Sequence, residues 1–175
     1  MTSTHRTGTV MYVIAIAGFI ALMAWLFSGQ IAERRNPNRD VTRTGHADGT
    51  AGVVLARNRA GHYVATGRIN GVEAEFMIDT GATDVAVSED VARAAGLARG
   101  PAQQVTTANG LAMAYLTRID TLELGGIVEQ DVRASIVPAM AGIDVLLGMS
   151  FLQRLDFEQR GDELRLEQRT GRRPL

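Results

Sequence analysis

The sequence contains no cysteine and no lysine. Without cysteine the chain can form no disulfide, cannot use a thiolate as a nucleophile and cannot build a cysteine-based metal site. Its three histidines, His5, His46 and His62, do not have the spacing of a metal-binding motif, so we expect no metal. Arginine supplies all 18 basic residues against 19 acidic ones, and the net charge of −1 indicates no overall attraction to nucleic acid.

One long apolar run lies near the N-terminus. Residues 10–27 contain no charge, reach the lower limit for a membrane-spanning helix and carry Trp25 near one end, where an interfacial anchor fits. A cleaved signal peptide has a shorter apolar core, of about 7–15 residues, and a cleavage site that the following SGQIAERR lacks. A buried core helix is disfavoured because the run is apolar on every face. The sequence therefore predicts an uncleaved transmembrane helix at 10–27, after a short tail at 1–9.

Polar segments flank the rest of the chain. Residues 28–52 are rich in Asn, Arg, Thr and Gly and show no apolar period, so we expect a flexible linker there. As a coil it would span about 25 Å. Residues 168–175 are likewise predicted to be a polar tail.

Between these segments, residues 53–167 alternate short apolar runs with turn residues. The dipeptides Asn70-Gly71 and Asn109-Gly110 favour tight β-hairpin turns. Ser88 can cap one short helix, which Gly96 can close. Many short strands and little helix predict a mostly β domain, a small closed β-barrel-like fold of about 115 residues.

The strongest functional signal is Asp79-Thr80-Gly81. A lone tripeptide of this kind is often a turn in which the Asp accepts hydrogen bonds from nearby backbone N–H groups. Here it directly follows the apolar run 76–78, and the Asn109-Gly110 hairpin and the apolar stretch 145–148 come later in the chain. The carboxylate is therefore predicted to end a core strand instead of lying in a surface loop.

This order of elements resembles the retropepsin-like aspartic proteases, and the string TTANG resembles their bacterial membrane-anchored members. In that family a hydrophobic strand runs into D-[TS]-G-A, here 79–82, and a β-hairpin flap covers the cleft, here with its tip at Asn109-Gly110. An apolar-apolar-Gly element packs behind the catalytic loop, here Leu146-Leu147-Gly148, with both leucines in the core. The resemblance covers residues 53–166 and implies the retropepsin fold with one or two short helices, an aspartic endopeptidase activity and no cofactor.

The resemblance also implies a role for each matching position. Asp79 is expected to be the catalytic carboxylate, with Thr80 hydrogen-bonded across a two-fold axis and Gly81 allowing close approach of the backbone. The expected substrate-binding residues are Ala82, Asp84, Ala108, Asn109 and Gly110. Two alternatives stay open: Asp84 as a solvated turn acid, and the hairpin as an ordinary β-turn without a gating role.

The family hydrolyses peptide bonds with two carboxylates that share one proton, so that one is a base toward water and the other an acid. This chain has one D-[TS]-G, and its nearest counterpart, Asp120-Thr121-Leu122, lacks the glycine. The second carboxylate must then come from Asp79 of another copy, which predicts a symmetric homodimer. The expected partners are this second copy, a peptide or protein substrate, and the membrane.

Two questions remain at the level of sequence. A membrane-tethered peptide-binding or scaffolding module could use the same fold without turnover. The orientation in the membrane has two opposing indications. By the positive-inside rule, a cytoplasmic domain is favoured by the four arginines after the apolar run, which are Arg34, Arg35, Arg39 and Arg43. The resemblance to the bacterial anchored members instead implies the inner membrane with a periplasmic domain, which is the location we expect.

Overall fold

The computed structural model describes residues 3–45, 51–107 and 110–169. The chain divides into two compact units, Met1–Arg35 and Asn36–Leu175. The first unit contains helix α1, Ser3–Arg35, which ends in two arginines. Cations in the last turn interact favourably with the negative end of the helix dipole.

Helix α1 differs from the helix predicted at 10–27. It extends further in both directions, so the predicted tail at 1–9 is helical from Ser3 onward. Most of the apolar side chains described between Met11 and Leu26 are exposed. No helix in the described part of the chain is both long enough and apolar enough to cross a membrane. The structure thus does not support the predicted transmembrane helix.

The second unit is mostly β, as predicted, and its two helices are short. Its elements within the described residues are β1 Thr42–Gly45, β2 Ala51–Ala56, β3 Val64–Ile69, β4 Val72–Ile78, β5 Val85–Val87, α2 Glu89–Ala94, β6 Ala102–Thr107, β7 Gly110–Leu124, β8 Ile127–Ile136, β9 Val145–Leu147, α3 Met149–Leu152, β10 Leu155–Arg160 and β11 Glu163–Gln168.

Six of these strands close into a barrel. The larger sheet has the order β3-β4-β9-β5-β8-β7-β6, and β3 also pairs with β7 through Arg68↔Glu123 and Ile69↔Leu122. This last pairing joins the two ends of the sheet, so that β3, β4, β9, β5, β8 and β7 form a ring. The first half of the long strand β7 extends beyond the ring and pairs with β6 as a hairpin.

A second, antiparallel sheet with the order β1-β2-β11-β10 packs on the barrel. The side chains that join the two layers are apolar and almost completely buried. From the second sheet they are Val53, Leu55, Leu155, Leu164 and Leu166, and from the barrel they include Phe76, Ile119, Leu122 and Ile127. One continuous hydrophobic core therefore supports both sheets.

Two local predictions are confirmed by the structure. The β3–β4 turn has positive φ at both Asn70 (49°) and Gly71 (83°), the backbone conformation that makes Asn-Gly favourable in two-residue hairpins. Ser88 is the N-cap of α2 and accepts a hydrogen bond from the Val91 N–H, while Gly96 follows the helix with φ of 67°. Both sites depend only on neighbouring residues, which explains why the sequence predicts them.

The sequence predicts a flexible linker at 28–52, but most of the residues described there have a defined structure. Asn36 and Asn38 are almost fully buried in the second unit. The Asn38 amide donates to the carbonyls of Ala56 (2.9 Å) and Val64 (2.7 Å) and accepts from the Ala56 N–H (2.7 Å). Asn36 accepts from the Asn38 N–H and donates to the Thr66 hydroxyl. Buried polar groups require such partners, and this Asn36–Asn38 clasp ties β2 to β3.

The second unit therefore begins at Asn36, and not at the predicted residue 53. Residues 42–45 form β1, whereas residues 46–50 lie outside the described part of the chain. This segment has no apolar period because hydrogen bonds, and not apolar side chains, hold its first residues in place.

We predict that Asn38→Ala lowers the free energy of unfolding by about 2–4 kcal/mol. The substitution removes three hydrogen bonds and leaves the buried Val64 carbonyl and the part-buried Ala56 carbonyl without that partner. Chemical denaturation of the full-length chain measures the change. Arg39→Ala is the matched control, because Arg39 is adjacent and exposed, and its loss should change stability by less than about 0.5 kcal/mol. Equal stability of the two variants would contradict the role of the clasp.

Candidate active site

The candidate site forms where the chain crosses over the end of a strand. Strand β9 lies between β4 and β5, parallel to β4 and antiparallel to β5. The loop 79–84, which connects β4 to β5, must therefore pass over the end of β9. This crossing places Asp79 beside the last residue of β9, and the Asp79 N–H donates to the Leu147 carbonyl at 3.0 Å.

The Asp79 carboxylate is held by the backbone of its own loop. Its Oδ1 accepts a hydrogen bond from the Gly81 N–H at 2.8 Å, and the side chain is half-buried. A Cβ at position 81 would lie 3.2 Å from that oxygen, so glycine permits this approach. Thr80 and Gly81 are exposed. One oxygen of the carboxylate is thus oriented, and the loop around it is open to solvent.

Gly148 supports the loop from below, as predicted. An added Cβ would come within 2.3 Å of the Asp84 carbonyl oxygen and 2.7 Å of the Ala82 carbonyl oxygen, distances that only a glycine avoids. The next two backbone N–H groups reach the same loop, from Met149 to the Ala82 carbonyl (2.8 Å) and from Ser150 to the Thr83 carbonyl (2.9 Å). The start of α3 therefore fixes the loop that carries Asp79.

Ser150 makes a further contact that the sequence did not reveal. Its hydroxyl is almost fully buried, accepts from the Val85 N–H at 2.9 Å and donates to the Arg133 carbonyl at 2.8 Å. These two groups belong to different strands, β5 and β8. The short sequence signal MSFL shows only the start of a helix, and the partners of this hydroxyl are far away along the chain.

Asp84 is not a simple solvated turn acid. Its side chain is 22% exposed and accepts a hydrogen bond from Arg133 Nε at 2.7 Å, with a second guanidinium nitrogen at 2.6 Å. The Arg133 side chain is 56% exposed, and an ion pair of that exposure contributes little to stability. The pair keeps the Asp84 carboxylate at the edge of the crossing.

Three half-buried apolar side chains lie on the same side of the sheet as Asp79. Side chains two residues apart on a strand point to the same face, which relates Met77 to Asp79. Met77 is paired with Leu146, and Leu146 with Ala86. Leu147 is fully buried, but Leu146 is only partly buried, so the prediction that both leucines lie in the core is wrong for Leu146. Met77, Leu146 and Ala86 form an apolar floor next to the carboxylate.

The β6–β7 hairpin has one face directed toward this floor. Gln103 Nε2 donates to the Ser135 hydroxyl at 3.2 Å, and Ser135 is paired with Ala86 of the floor. Val105 follows on the same face of β6 as Gln103 and is paired with Ala112. Val105 and Ala112 are both half-buried, so this face of the hairpin provides an apolar surface opposite the floor.

The tip of the hairpin is described in part. Gly110, a predicted substrate-binding residue, begins β7 with φ of 104° and is exposed, and its carbonyl accepts from the Thr107 hydroxyl at 2.8 Å. The other two predicted residues of the tip, Ala108 and Asn109, lie outside the described residues.

The remaining predicted substrate-binding residue, Ala82, is half-buried and lies in the same loop as Asp79, directly after Thr80 and Gly81.

The site thus offers one carboxylate that can accept or donate a proton, next to an apolar cleft. Within the described ranges, no cluster of three or more His, Asp or Glu side chains could hold a metal ion.

Comparison with known proteins agrees with this geometry. Residues 65–154 match the model of the family described as "gag-polyprotein putative aspartyl protease". The chain belongs to this aspartyl protease family, and its fold is retropepsin-like. The matched segment begins in β3 and ends just after α3, so it contains the crossing, the floor and the hairpin.

The crystal structure of a retropepsin-like aspartic protease from Rickettsia conorii is similar to this chain, with 30% identity and a TM-score of 0.56. The similarity covers 66% of this chain and 98% of that one. An uncharacterized protein in the cobV 5′ region of Sinorhizobium sp. is 32% identical over 94% of this chain and 76% of its own length. An uncharacterized protein of Rickettsia prowazekii is 28% identical over 58% of this chain and 45% of its own length.

We predict that Ser150→Ala lowers the free energy of unfolding by about 1–3 kcal/mol, because it leaves the buried Val85 N–H without its acceptor. Thermal or chemical unfolding of the full-length chain measures this. Thr117→Val is the matched control, since it also deletes one hydroxyl that donates to a carbonyl (Ala98, 2.8 Å), but at an exposed site where water can replace it. If both variants lose the same stability, the buried position of Ser150 is not what matters.

Proposed function

We propose that the protein is a homodimeric aspartic endopeptidase in which Asp79 of each copy supplies one of two catalytic carboxylates. The observation that carries the proposal is the Asp79-Thr80-Gly81 loop at the strand crossing, with Oδ1 of Asp79 held by the Gly81 N–H at 2.8 Å. Membership of the aspartyl protease family supports the same activity.

The chemistry requires two carboxylates in one site. Hydrolysis of an amide needs a base that takes a proton from water and an acid that protonates the carbonyl oxygen or the leaving nitrogen. Two carboxylates about 3 Å apart share a single proton, so one of them is the base and the other is the acid. A single Asp79 can supply only half of this pair.

A second copy of the chain is the natural source of the other carboxylate. The sequence has one D-[TS]-G, and in a two-fold symmetric dimer the same residue faces itself across the axis. The exposure of Thr80 and Gly81 supports this arrangement, because residues at the axis would be covered only in the dimer. Thr80 of each copy would then hold the two loops in register.

The cleft favours a peptide with apolar side chains near the bond that is cleaved. Met77, Leu146 and Ala86 form the floor, and Val105 and Ala112 line the facing side of the hairpin. Removal of apolar side chains from water into such a cleft contributes roughly 25 cal/mol per Å². The main chain of the substrate would lie between floor and hairpin, with Ala82, Asp84 and Gly110 at its edges.

We predict that Asp79→Asn abolishes peptide cleavage while the dimer and the fold remain. An amide cannot act as the base, and the change in volume is small, so turnover should fall by at least about 1,000-fold. The assay uses the full-length chain and a peptide library between pH 5 and 7, with oligomeric state and unfolding measured in parallel. Cleavage should concentrate at bonds flanked by apolar residues.

Asp120→Asn is the control, since Asp120 is exposed and lies on β7 away from the crossing. Equal cleavage by wild type and Asp79→Asn, or no cleavage by a verified wild-type dimer, would refute the catalytic role. Peptide binding without turnover that survives Asp79→Asn would instead identify a non-catalytic binding module.

The second part of the proposal is attachment to a bacterial inner membrane, with the protease domain in the periplasm. The apolar side chains of the N-terminal helix support the attachment. Ile14 is 65% exposed and Trp25 is 73% exposed, and residues 10–27 carry no charge. A long run of exposed apolar side chains is typical of regions that bind lipid or protein. Attachment would keep the enzyme close to substrates at the membrane surface.

Fractionation of cells that express the full-length chain tests the location. We expect the chain to stay with membranes after an alkaline carbonate wash, and a phosphatase reporter placed after Leu175, which is active only in the periplasm, to be active. A chain that starts at Asn36 is the control and should be released. Release of the full-length chain by carbonate would contradict membrane attachment, and an inactive reporter would contradict the orientation.

A further inference from the structure

The apolar floor of the cleft continues across the barrel into β8 and β7. The floor residue Ala86 is paired with Ser135 of β8, and Ser135 is paired with Leu116 of β7. Paired residues on neighbouring strands direct their side chains to the same face of a sheet. One row of side chains therefore runs from Met77, next to the candidate carboxylate, to Leu116.

A second row lies beside the first, two positions along each strand and on the same face. This second row contains the candidate carboxylate and ends in two arginines. From β4 to β7 its positions are Asp79, Gly148, Asp84, Arg133 and Arg118.

Both rows end in a groove of about 490 Å³, which we call the distal groove. It lies between strands β7 and β8 and the segment 96–100 that precedes β6. Leu116, Arg118 and Arg133 contribute to its lining, and these are the residues that end the two rows. The distal groove is therefore a continuation of the cleft, with a charged lining in place of an apolar one.

The two arginines of the distal groove are directly opposite each other on β7 and β8. Like charges at opposed positions repel, so each needs an anion nearby. Arg133 binds Asp84 through Nε at 2.7 Å and through Nη2 at 2.6 Å, and Arg118 binds Asp131 through Nη1. Within the residues that the structure describes, no carboxylate binds both guanidinium groups.

Both guanidinium groups keep donors for a ligand. The side chains of Arg118 and Arg133 are 61% and 56% exposed. In the described part of the chain, Nε and Nη2 of Arg118 and Nη1 of Arg133 have no acceptor. Asp120 borders the groove two residues beyond Arg118, about 7 Å further along β7, and so does not lie between the arginines. A carboxylate between them would accept hydrogen bonds from both.

We propose that the distal groove binds an acidic side chain of the substrate between Arg118 and Arg133. This inference rests on the proposed function, because the groove is the end of the same cleft. Strands lie about 4.8 Å apart, which puts Arg133 about 14 Å and Arg118 about 19 Å from Asp79 along the row. An extended peptide advances about 3.3 Å per residue, so the acidic residue lies about four to six residues from the cleaved bond. In a symmetric dimer each copy supplies one groove, and acidic residues on either side of the bond are recognised.

Paired peptides that differ only in Glu or Gln at these positions test the preference. The full-length Asp79→Asn chain is titrated with labelled peptides that carry apolar residues at the centre, so that binding is measured without cleavage. The Glu peptide should have a dissociation constant at least about 5-fold lower than the Gln peptide at one or more positions. This difference should shrink as the salt concentration rises. Equal dissociation constants at all of these positions would overturn the proposal.

Substitution of the arginines locates the preference. With Arg118→Gln and Arg133→Gln combined in the Asp79→Asn chain, the Glu and Gln peptides should bind equally, because both guanidinium groups are gone. Each substitution is also made singly and should reduce the difference, which tests the groove even where the combined variant does not fold. Arg68→Gln is the matched control, since Arg68 is an exposed strand arginine that lies near an acid, Glu73, outside the groove. A preference that survives in the arginine variants, or that is lost in Arg68→Gln, would contradict the assignment.

The two proposals fail in different ways. Cleavage of the Glu and Gln peptides at equal rates by the wild-type dimer, together with equal binding, would refute the distal groove and leave the peptidase intact. Tighter binding of the Glu peptides to a chain whose wild-type dimer cleaves none of them would support the groove and refute the peptidase.

Discussion

The strand order of the barrel places β9 between β4 and β5, so the chain that leaves β4 has to cross the end of β9 before it can form β5. The crossing brings two segments of backbone into direct contact, and only a residue without Cβ fits at position 148. The Asp79 loop consequently donates a hydrogen bond to the Leu147 carbonyl and accepts hydrogen bonds from the Met149 and Ser150 N–H groups, whereas Thr80 and Gly81 are exposed. A carboxylate held in this way is fixed in position without being buried, which is the condition for acting on an external substrate.

The same construction presents only one candidate catalytic carboxylate per chain. The crossing at Asp79 presents one carboxylate, and the sequence has one D-[TS]-G. Thr80 and Gly81, which follow the carboxylate in the loop, are exposed. In the proposed dimer, the second copy would supply the other carboxylate. Catalysis and association would then both depend on the loop 79–82.

Sequence predicted those parts of the fold that neighbouring residues determine. Asn70-Gly71 forms its turn because both residues accept positive φ, and Ser88 caps α2 because the Val91 N–H is within reach along the chain. The apolar run before Asp79 likewise showed that a buried strand leads into the loop. The roles of Ser150, Leu146 and Asn38 depend instead on partners that are distant in sequence, and the pattern around each of them shows nothing of these partners. Periodicity reports local burial, whereas the strand order that brings the site together is a long-range property.

The Asn36–Asn38 clasp explains why composition alone does not locate the start of the second unit. A boundary read from composition follows the first apolar period, and the clasp has none, because its side chains substitute for the backbone hydrogen bonds of an additional strand. Asn38 bonds to β2 and β3 at the place where the barrel edge of β3 is left open, since β3 meets β7 only at its last two residues. The clasp therefore completes the hydrogen bonding of the strand that pairs with β4, and β4 leads into Asp79. A chain that begins at residue 53 would lack this support, so its inactivity would say nothing about the chemistry of the site.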